Sequence, residues 1–207
     1  MKLIKRMIAA VLMFAAIGSS SAASLDVGTY GGNSCCSDMT RGYVFTAPID
    51  FYINEVFLPV AGGTGSTLQL LKFDSVPPEW SSTTNSFSSL GFWADSQSSG
   101  AINIAVHAGD VIGVLGWSAT LQATPYHGQA GSYASSINGN AVSLQRIGFQ
   151  ARGLAHDVWK EENYYIGTIG LNYSTAPVPE PETYAMLLAG LGVMGAVARR
   201  RKSKHTA

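Results

Sequence analysis

Charged side chains are scarce in this 207-residue chain: Lys, Arg, Asp and Glu make up 13% of it and cancel to a formal net charge of zero. The cancellation hides an asymmetry. Eight of the thirteen basic residues (Lys2, Lys5, Arg6, Arg199, Arg200, Arg201, Lys202 and Lys204) lie at the two ends. Between Ser24 and Val178 only Arg41, Lys72, Arg146, Arg152 and Lys160 stand against eleven acidic residues, a net charge of about −6. Phosphate binding needs a positive field, so nucleic acid is excluded as the expected partner. Cysteine is almost absent. Cys35 and Cys36 are adjacent in "NSCCSD", and no CxxC or HxxxH motif supplies the other ligands that tetrahedral zinc requires. There is no D-x-D-x-D-G calcium loop either, and Asp110 in a glycine turn offers one ligand at most. No metal or cofactor is therefore expected.

Long hydrophobic runs are also missing. Residues 7–18 form a twelve-residue apolar stretch preceded by Lys2, Lys5 and Arg6 and followed by the small residues "SSSAAS". That three-part pattern is a secretory leader, with signal peptidase expected to cut at Ala22 or Ala23. The second run, 184–198, holds fifteen residues with no charge and no 3.6-residue polar alternation. As a helix it would reach roughly 23 Å, short of the ~30 Å hydrocarbon core, so spanning needs help from Arg199, Arg200, Arg201 and Lys202 snorkelling to one interface. The positive-inside rule places that basic end in the cytoplasm and the preceding domain outside, in agreement with the leader. In an exported chain Cys35 and Cys36 see oxidising conditions, where neighbours bridge only through a strained eight-membered ring. A vicinal disulfide, an intermolecular disulfide and two thiols in an N-terminal loop all stay open.

"VPEPE", "LLAGLG" and "ARRRK" follow one another at the C-terminus. This order closely resembles the PEP-CTERM sorting signal of Gram-negative bacteria, a tail also catalogued as an ice-binding protein C-terminal motif, a label that carries no evidence of ice binding. The resemblance covers about twenty-five residues. It implies processing by an exosortase, a membrane-embedded cysteine transpeptidase-like enzyme, near Pro179, Glu180 and Pro181. Two prolines bar helix and sheet there and hold an extended segment open beside the membrane. The resemblance further implies transient residence in the inner membrane, domain on the periplasmic side, and then release to the cell surface or medium.

Gly, Ser, Thr and Asn dominate the middle, interrupting short β-branched and aromatic runs. "GYVFT" (42–46), "IDFYINEVFLPV" with Ile49, Phe51 and Ile53 alternating against Asp50, Tyr52 and Asn54, and "TLQLLKF" (67–73) read as strands. "AINIAVHAGDVIGVLGW" reads as two strands joined at His107 to Asp110, with Gly109 supplying the left-handed angle of a tight hairpin. "INGN" turns the chain into "AVSLQRIGFQ", and "NYYIGTIGLNYS" closes the domain with Tyr165, Gly167, Ile169 and Leu171 on one face. Seven to nine strands without an amphipathic helix predict an all-β, antiparallel β-sandwich, jelly-roll-like. The expected organisation is a signal peptide (1–23), an exported β-domain (24–174), a linker with the Pro-Glu-Pro motif (175–183), a transmembrane sorting helix (184–198) and a basic cytoplasmic tail (199–207). "RGYVFTAP", "AGDVIGVLG" and "DVWKEENYYIGTIGLNY" are similar to stretches of exported β-rich proteins with the same tail, a likeness that carries no activity.

Catalytic constellations do not assemble in the sequence. His107, His127 and His156 are separated by twenty and twenty-nine residues, matching no triad or metal spacing. "GWSAT" fails the G-x-S-x-G elbow because Thr120 replaces the last glycine, so Ser118 is rejected as a nucleophile. Glu161 and Glu162 are adjacent, which in a strand points them to opposite faces, and they read as a solvated turn. Four tryptophans remain. Trp117 and Trp159 sit in or beside apolar runs and are assigned to the core, whereas Trp80 and Trp93 flank a polar Ser/Thr/Asn segment and are the candidate glycan contacts. The expectation is a non-catalytic cell-envelope or extracellular-matrix protein. The alternative is a carbohydrate-binding module for exopolysaccharide, and an exported hydrolase ranks third.

Overall fold

The computed structural model describes residues 22–35, 37–60, 63–177 and 188–195. The chain divides into two units, Met1–Ala176 and Pro177–Ala207. The first is mostly β. In chain order its strands are β1 (Ala23–Ser24), β2 (Tyr30–Cys35), β3 (Thr40–Thr46), β4 (Phe51–Phe57), β5 (Thr67–Phe73), β6 (Phe87–Ala94) and β7 (Ile104–Val106). They continue with β8 (Val111–Trp117), β9 (Thr124–Ala130), β10 (Tyr133–Ile137), β11 (Asn140–Phe149), β12 (Trp159–Glu161), β13 (Tyr165–Gly167) and β14 (Gly170–Ser174). All strand pairings are antiparallel. A seven-stranded sheet runs β10-β11-β3-β8-β5-β6 with β12 added to β11; the others run β1-β14-β4-β7 and β13-β9-β2, and none closes into a barrel.

Period-two alternation decides what each strand buries. In β5, Leu68 and Leu70 join a cluster that also holds Phe51, Ile53, Val56, Leu171 and Tyr173 of the four-stranded sheet, while Leu71 and Phe73 enter a second cluster with Leu115, Ile147, Phe149 and Val158. The central strands are therefore covered on both faces. This explains why "VIGVLGW" is apolar throughout and buried at all seven positions; burying each large side chain contributes about 1.5–3 kcal/mol.

The loop "NG" performs as its sequence demands. Asn138 (φ 49°) and Gly139 (φ 78°) both take left-handed angles between β10 and β11, whose register closes at Ile137 opposite Asn140. Three other expectations need correction. Gly109 is left-handed (φ 90°) and Asp110 N donates to His107 O at 3.0 Å, yet β7 pairs with β4 and β8 with β3 and β5, so the turn carries the chain between sheets and makes no hairpin. The strict alternation in β4 breaks at Asn54, an extra residue opposite the step from Asn172 to Tyr173, and the shift brings Val56 and Leu58 inward. Residues 163–174 are two strands: β13 joins β9, and Thr168, bonded to Pro125 O through N (2.8 Å) and Oγ1 (3.2 Å), redirects the chain to the four-stranded sheet. Local apolar pattern specifies extended backbone but carries no information on which sheet a strand joins.

In the second unit, residues 188–195 are helical and exposed. Among the described residues no helix is long and apolar enough to cross a membrane.

Candidate functional site

Two rows of residues cross β3, β11 and β12. The pairing places Arg41 opposite Gly148 and Gly148 opposite Trp159; two pairs along, Tyr43, Arg146 and Glu161 face one another. Gly148 makes the first row work. Without a side chain there, Arg41 lies over the glycine and its guanidinium reaches the Trp159 ring at 5.1 Å, whereas a Cβ would overlap Arg41 Cδ. Arg41 is buried, and its charge is met by the carbonyls of Thr40 (3.0 Å) and Phe149 (2.6 Å). Burial pushes its pKa down, and nearby Arg146 acts in the same direction.

Trp80 completes this ladder from outside. Its ring lies 4.6 Å from that of Trp159, tilted by 53°, and the residue is 54% exposed. Two prolines before it prevent residues 74–86 from forming a regular strand, but the segment is fastened to the stretch 157–162 by bonds along its length. Trp80 N donates to Lys160 O (3.1 Å), Lys160 N to Pro78 O (2.9 Å) and Glu162 N to Glu79 Oε1 (2.9 Å). Thr84 and Val158 exchange two backbone bonds, and Asn85 holds Asp157 through another pair. Lys160 Nζ bridges Glu79 Oε2 (2.9 Å) and Glu162 Oε1 (3.1 Å). The Glu79 bond leads the effects that hold the lysine pKa above its ordinary value. For Glu79, partial burial would raise the carboxyl, but the bonds from Lys160 and from Glu162 N outweigh it and hold it low.

The second row is an ion pair in an aromatic clamp, between buried Arg146 and half-buried Glu161. Arg146 Nε lies 2.7 Å from Glu161 Oε2, while the guanidinium sits 4.9 Å from the Tyr126 ring and 5.3 Å from that of Tyr164. The Nε–Oε2 contact is Coulombic, because its angle is not that of a hydrogen bond; Nη1 donates to Tyr165 O at 3.3 Å. Desolvation raises the Tyr126 pKa, against the pull of the two arginines. The solvated-turn reading thus fails for Glu161, a strand residue that β11 meets with Arg146 directly opposite, and holds for Glu162, which lies exposed in the turn.

The other residues singled out in the sequence lie apart from this ladder. Trp93 on β6 is half-buried, packs against the main core and covers Gly91, whereas Trp80 stacks on the second cluster through Trp159. Trp117 is buried, with Arg152 4.7 Å above its ring. Ser118 is buried and its Oγ accepts from Leu121 N. His107 is exposed 3.9 Å from Asp50, His127 is buried against Tyr133 and Gly28, and His156 contacts Asp157. No three His, Cys, Asp or Glu side chains converge on a metal site among the described residues. Asp110 is paired with Lys72 at 2.8 Å. A groove of about 340 Å³ lined by Val44, Val76, Val111, Val142 and Gln145 among others holds no titratable side chain, so it lacks the chemistry of the ladder. Cys35 ends β2 opposite Thr124, while Cys36, Pro179, Glu180, Pro181, Arg199, Arg200, Arg201 and Lys202 lie outside the described residues, as does the disulfide question.

The second unit begins at Pro177, carries the Pro-Glu-Pro sequence, and contains the exposed helix 188–195 ahead of the arginine cluster. Residues 177–202 match the PEP-CTERM protein-sorting motif. The PEP-CTERM motif implies an exported, cell-envelope-anchored protein sorted by an exosortase, which is then its processing partner. No curated protein and no solved structure matches the chain.

Proposed function

We propose that this PEP-CTERM protein is a non-catalytic component of the cell envelope or extracellular matrix whose β-domain, a jelly-roll-like sandwich, holds exopolysaccharide through Trp80. A signal peptidase removes the leader, the C-terminal helix rests in the inner membrane, and exosortase processing at Pro179 to Pro181 delivers the domain to the surface. The observation that carries the glycan reading is the Trp80 ring, half-exposed yet fixed on Trp159 and backed in turn by Arg41. Sugar rings stack their C–H faces on such a surface with little ordering cost, since the indole is already held. Exposed Glu79 and Glu162 beside it supply acceptors for hydroxyl groups. Core clusters shared between the four- and seven-stranded sheets support the sandwich, and the separation of His107, His127 and His156 weighs against a hydrolase.

Affinity electrophoresis of the exported protein in the producer's own exopolysaccharide tests the reading. Trp80→Ala is expected to abolish retardation while leaving the fold intact, and Trp93→Phe to leave binding unchanged. Undiminished binding by Trp80→Ala removes the platform from the proposal.

A further inference from the structure

Among the described residues, Trp80 and Tyr164 are the two Phe, Tyr or Trp side chains left exposed, at 54% and 55%. Both end on the same face of the same sheet. Trp159 and Glu161 are two apart on β12 and share a face, as do Gly148 and Arg146 opposite them on β11. Trp80 closes the Trp159 row, its ring 4.6 Å from that of Trp159. Tyr164 closes the Glu161 row, its ring 5.3 Å from the Arg146 guanidinium. Residues two apart on a strand are separated by about 7 Å, so the two rings end neighbouring but distinct rows.

Each ring is held in place by its own surroundings. Trp80 is fastened through its N–H to Lys160 O, as described above. Tyr164 O accepts from Gly131 N (3.1 Å) and Tyr165 O from Arg146 Nη1 (3.3 Å), which ties the 162–164 turn to the β9–β10 turn and to the guanidinium beneath the ring. A ring fixed in this way loses little rotamer freedom when a ligand stacks on it. The charges nearby are settled too. Arg41 and Arg146 are buried, Arg146 against Glu161, and Lys160 lies between Glu79 and Glu162. Every cation of the ladder is thus buried or already paired, whereas the carboxylates of Glu79 and Glu162 are exposed.

On the basis of the glycan reading of Trp80, we propose that Tyr164 is a second contact of the same platform, and that the two rings take different sugars along an uncharged polysaccharide chain. Rings on distinct rows stack distinct residues, so affinity grows with chain length until both rings are covered. The Tyr164 hydroxyl adds a donor and an acceptor for sugar hydroxyl groups. A chain bearing uronate or sulfate groups brings its charges to Glu79 and Glu162 and finds no cation to offset them, so it is repelled.

Oligosaccharides of graded length, cut from the producer's exopolysaccharide by partial hydrolysis and titrated into the exported protein by calorimetry, are the probe. Wild-type affinity is expected to rise with length and then level off. Tyr164→Ala should abolish that rise, weakening the longest fragments about tenfold and leaving the shortest unchanged, which also reports an intact Trp80 site. Tyr164→Phe keeps the ring and should restore the rise; Trp80→Ala should remove binding at every length. For an uncharged chain the dissociation constant should change by about twofold or less over a tenfold range of salt, because no ion pairs form or break. A full length dependence in Tyr164→Ala beside lost binding in Trp80→Ala overturns the second contact and leaves the glycan reading standing. Normal binding by Trp80→Ala, or a wild type that binds no fragment, overturns both. Binding that weakens or strengthens steeply with salt overturns the uncharged chain.

Discussion

Glu161→Gln preserves the shape of the side chain while removing its charge, and it isolates what the ion pair contributes. The side chain of Arg146 is 4% exposed and that of Glu161 17%. Removing one partner from a buried pair costs about 3–5 kcal/mol because the other charge is left uncompensated. Glu161 keeps some contact with water, so the lower end, about 3 kcal/mol, is expected at neutral pH. For a domain of this size that corresponds to a midpoint lowered by roughly 6–12 °C. Arg146 would retain the Tyr165 carbonyl and the Tyr126 and Tyr164 rings, which together do not replace a carboxylate. Adding Arg146→Met to Glu161→Gln removes the stranded charge and keeps an apolar stem against Tyr126, so the double variant should be more stable than Glu161→Gln alone. Urea denaturation of the four members of this cycle supplies the coupling energy. A Glu161→Gln variant within about 0.5 kcal/mol of wild type, the range of an inconsequential surface change, would refute the claim that the pair is interdependent.

Asp110 gives a pH signature: burial would raise its pKa, but bonds from Lys72 and His107 N outweigh burial and hold it below the ordinary carboxylate value. Its stabilising contribution is therefore present above the unfolded pKa and is lost as pH falls through the folded one, so the deficit of Asp110→Asn, under about 1 kcal/mol because Lys72 is part-exposed, should shrink as melting is followed below about pH 4. Gly139→Ala puts a Cβ on a left-handed residue and should cost about 1 kcal/mol in chemical denaturation; no loss would mean that the β10–β11 turn relaxes to another type. Pro179→Ala with Pro181→Ala should block exosortase processing, so intact mass would show the C-terminus retained through Ala207, and a wild-type mass that already retains it would contradict processing.

Much of the β-domain was legible from spacing. β3, β5 and the Asn138–Gly139 hairpin fall where alternation and turn chemistry put them, because those signals act over a few residues. The sheet exchange at His107 to Asp110 was not legible: a left-handed glycine fits both a hairpin and a crossover, and strand partners more than forty residues away decide between them. Trp80 was found through its polar flanks, but the same rule also selected Trp93, which covers Gly91 and leans on the core. No short-range signal marks Arg41, Gly148 and Trp159 as neighbours, since they lie more than a hundred and about ten residues apart along the chain.

The sequence by itself determined the C-terminal address and the material. A sorting tail is read locally by a membrane enzyme, so a linear motif suffices, and the supply of β-branched residues, turns and acidic charge is a property of composition. Tertiary structure alone decided which charges are brought together and which tryptophan faces outward. Those outcomes depend on register between distant strands, where a shift of one residue turns every side chain to the opposite face.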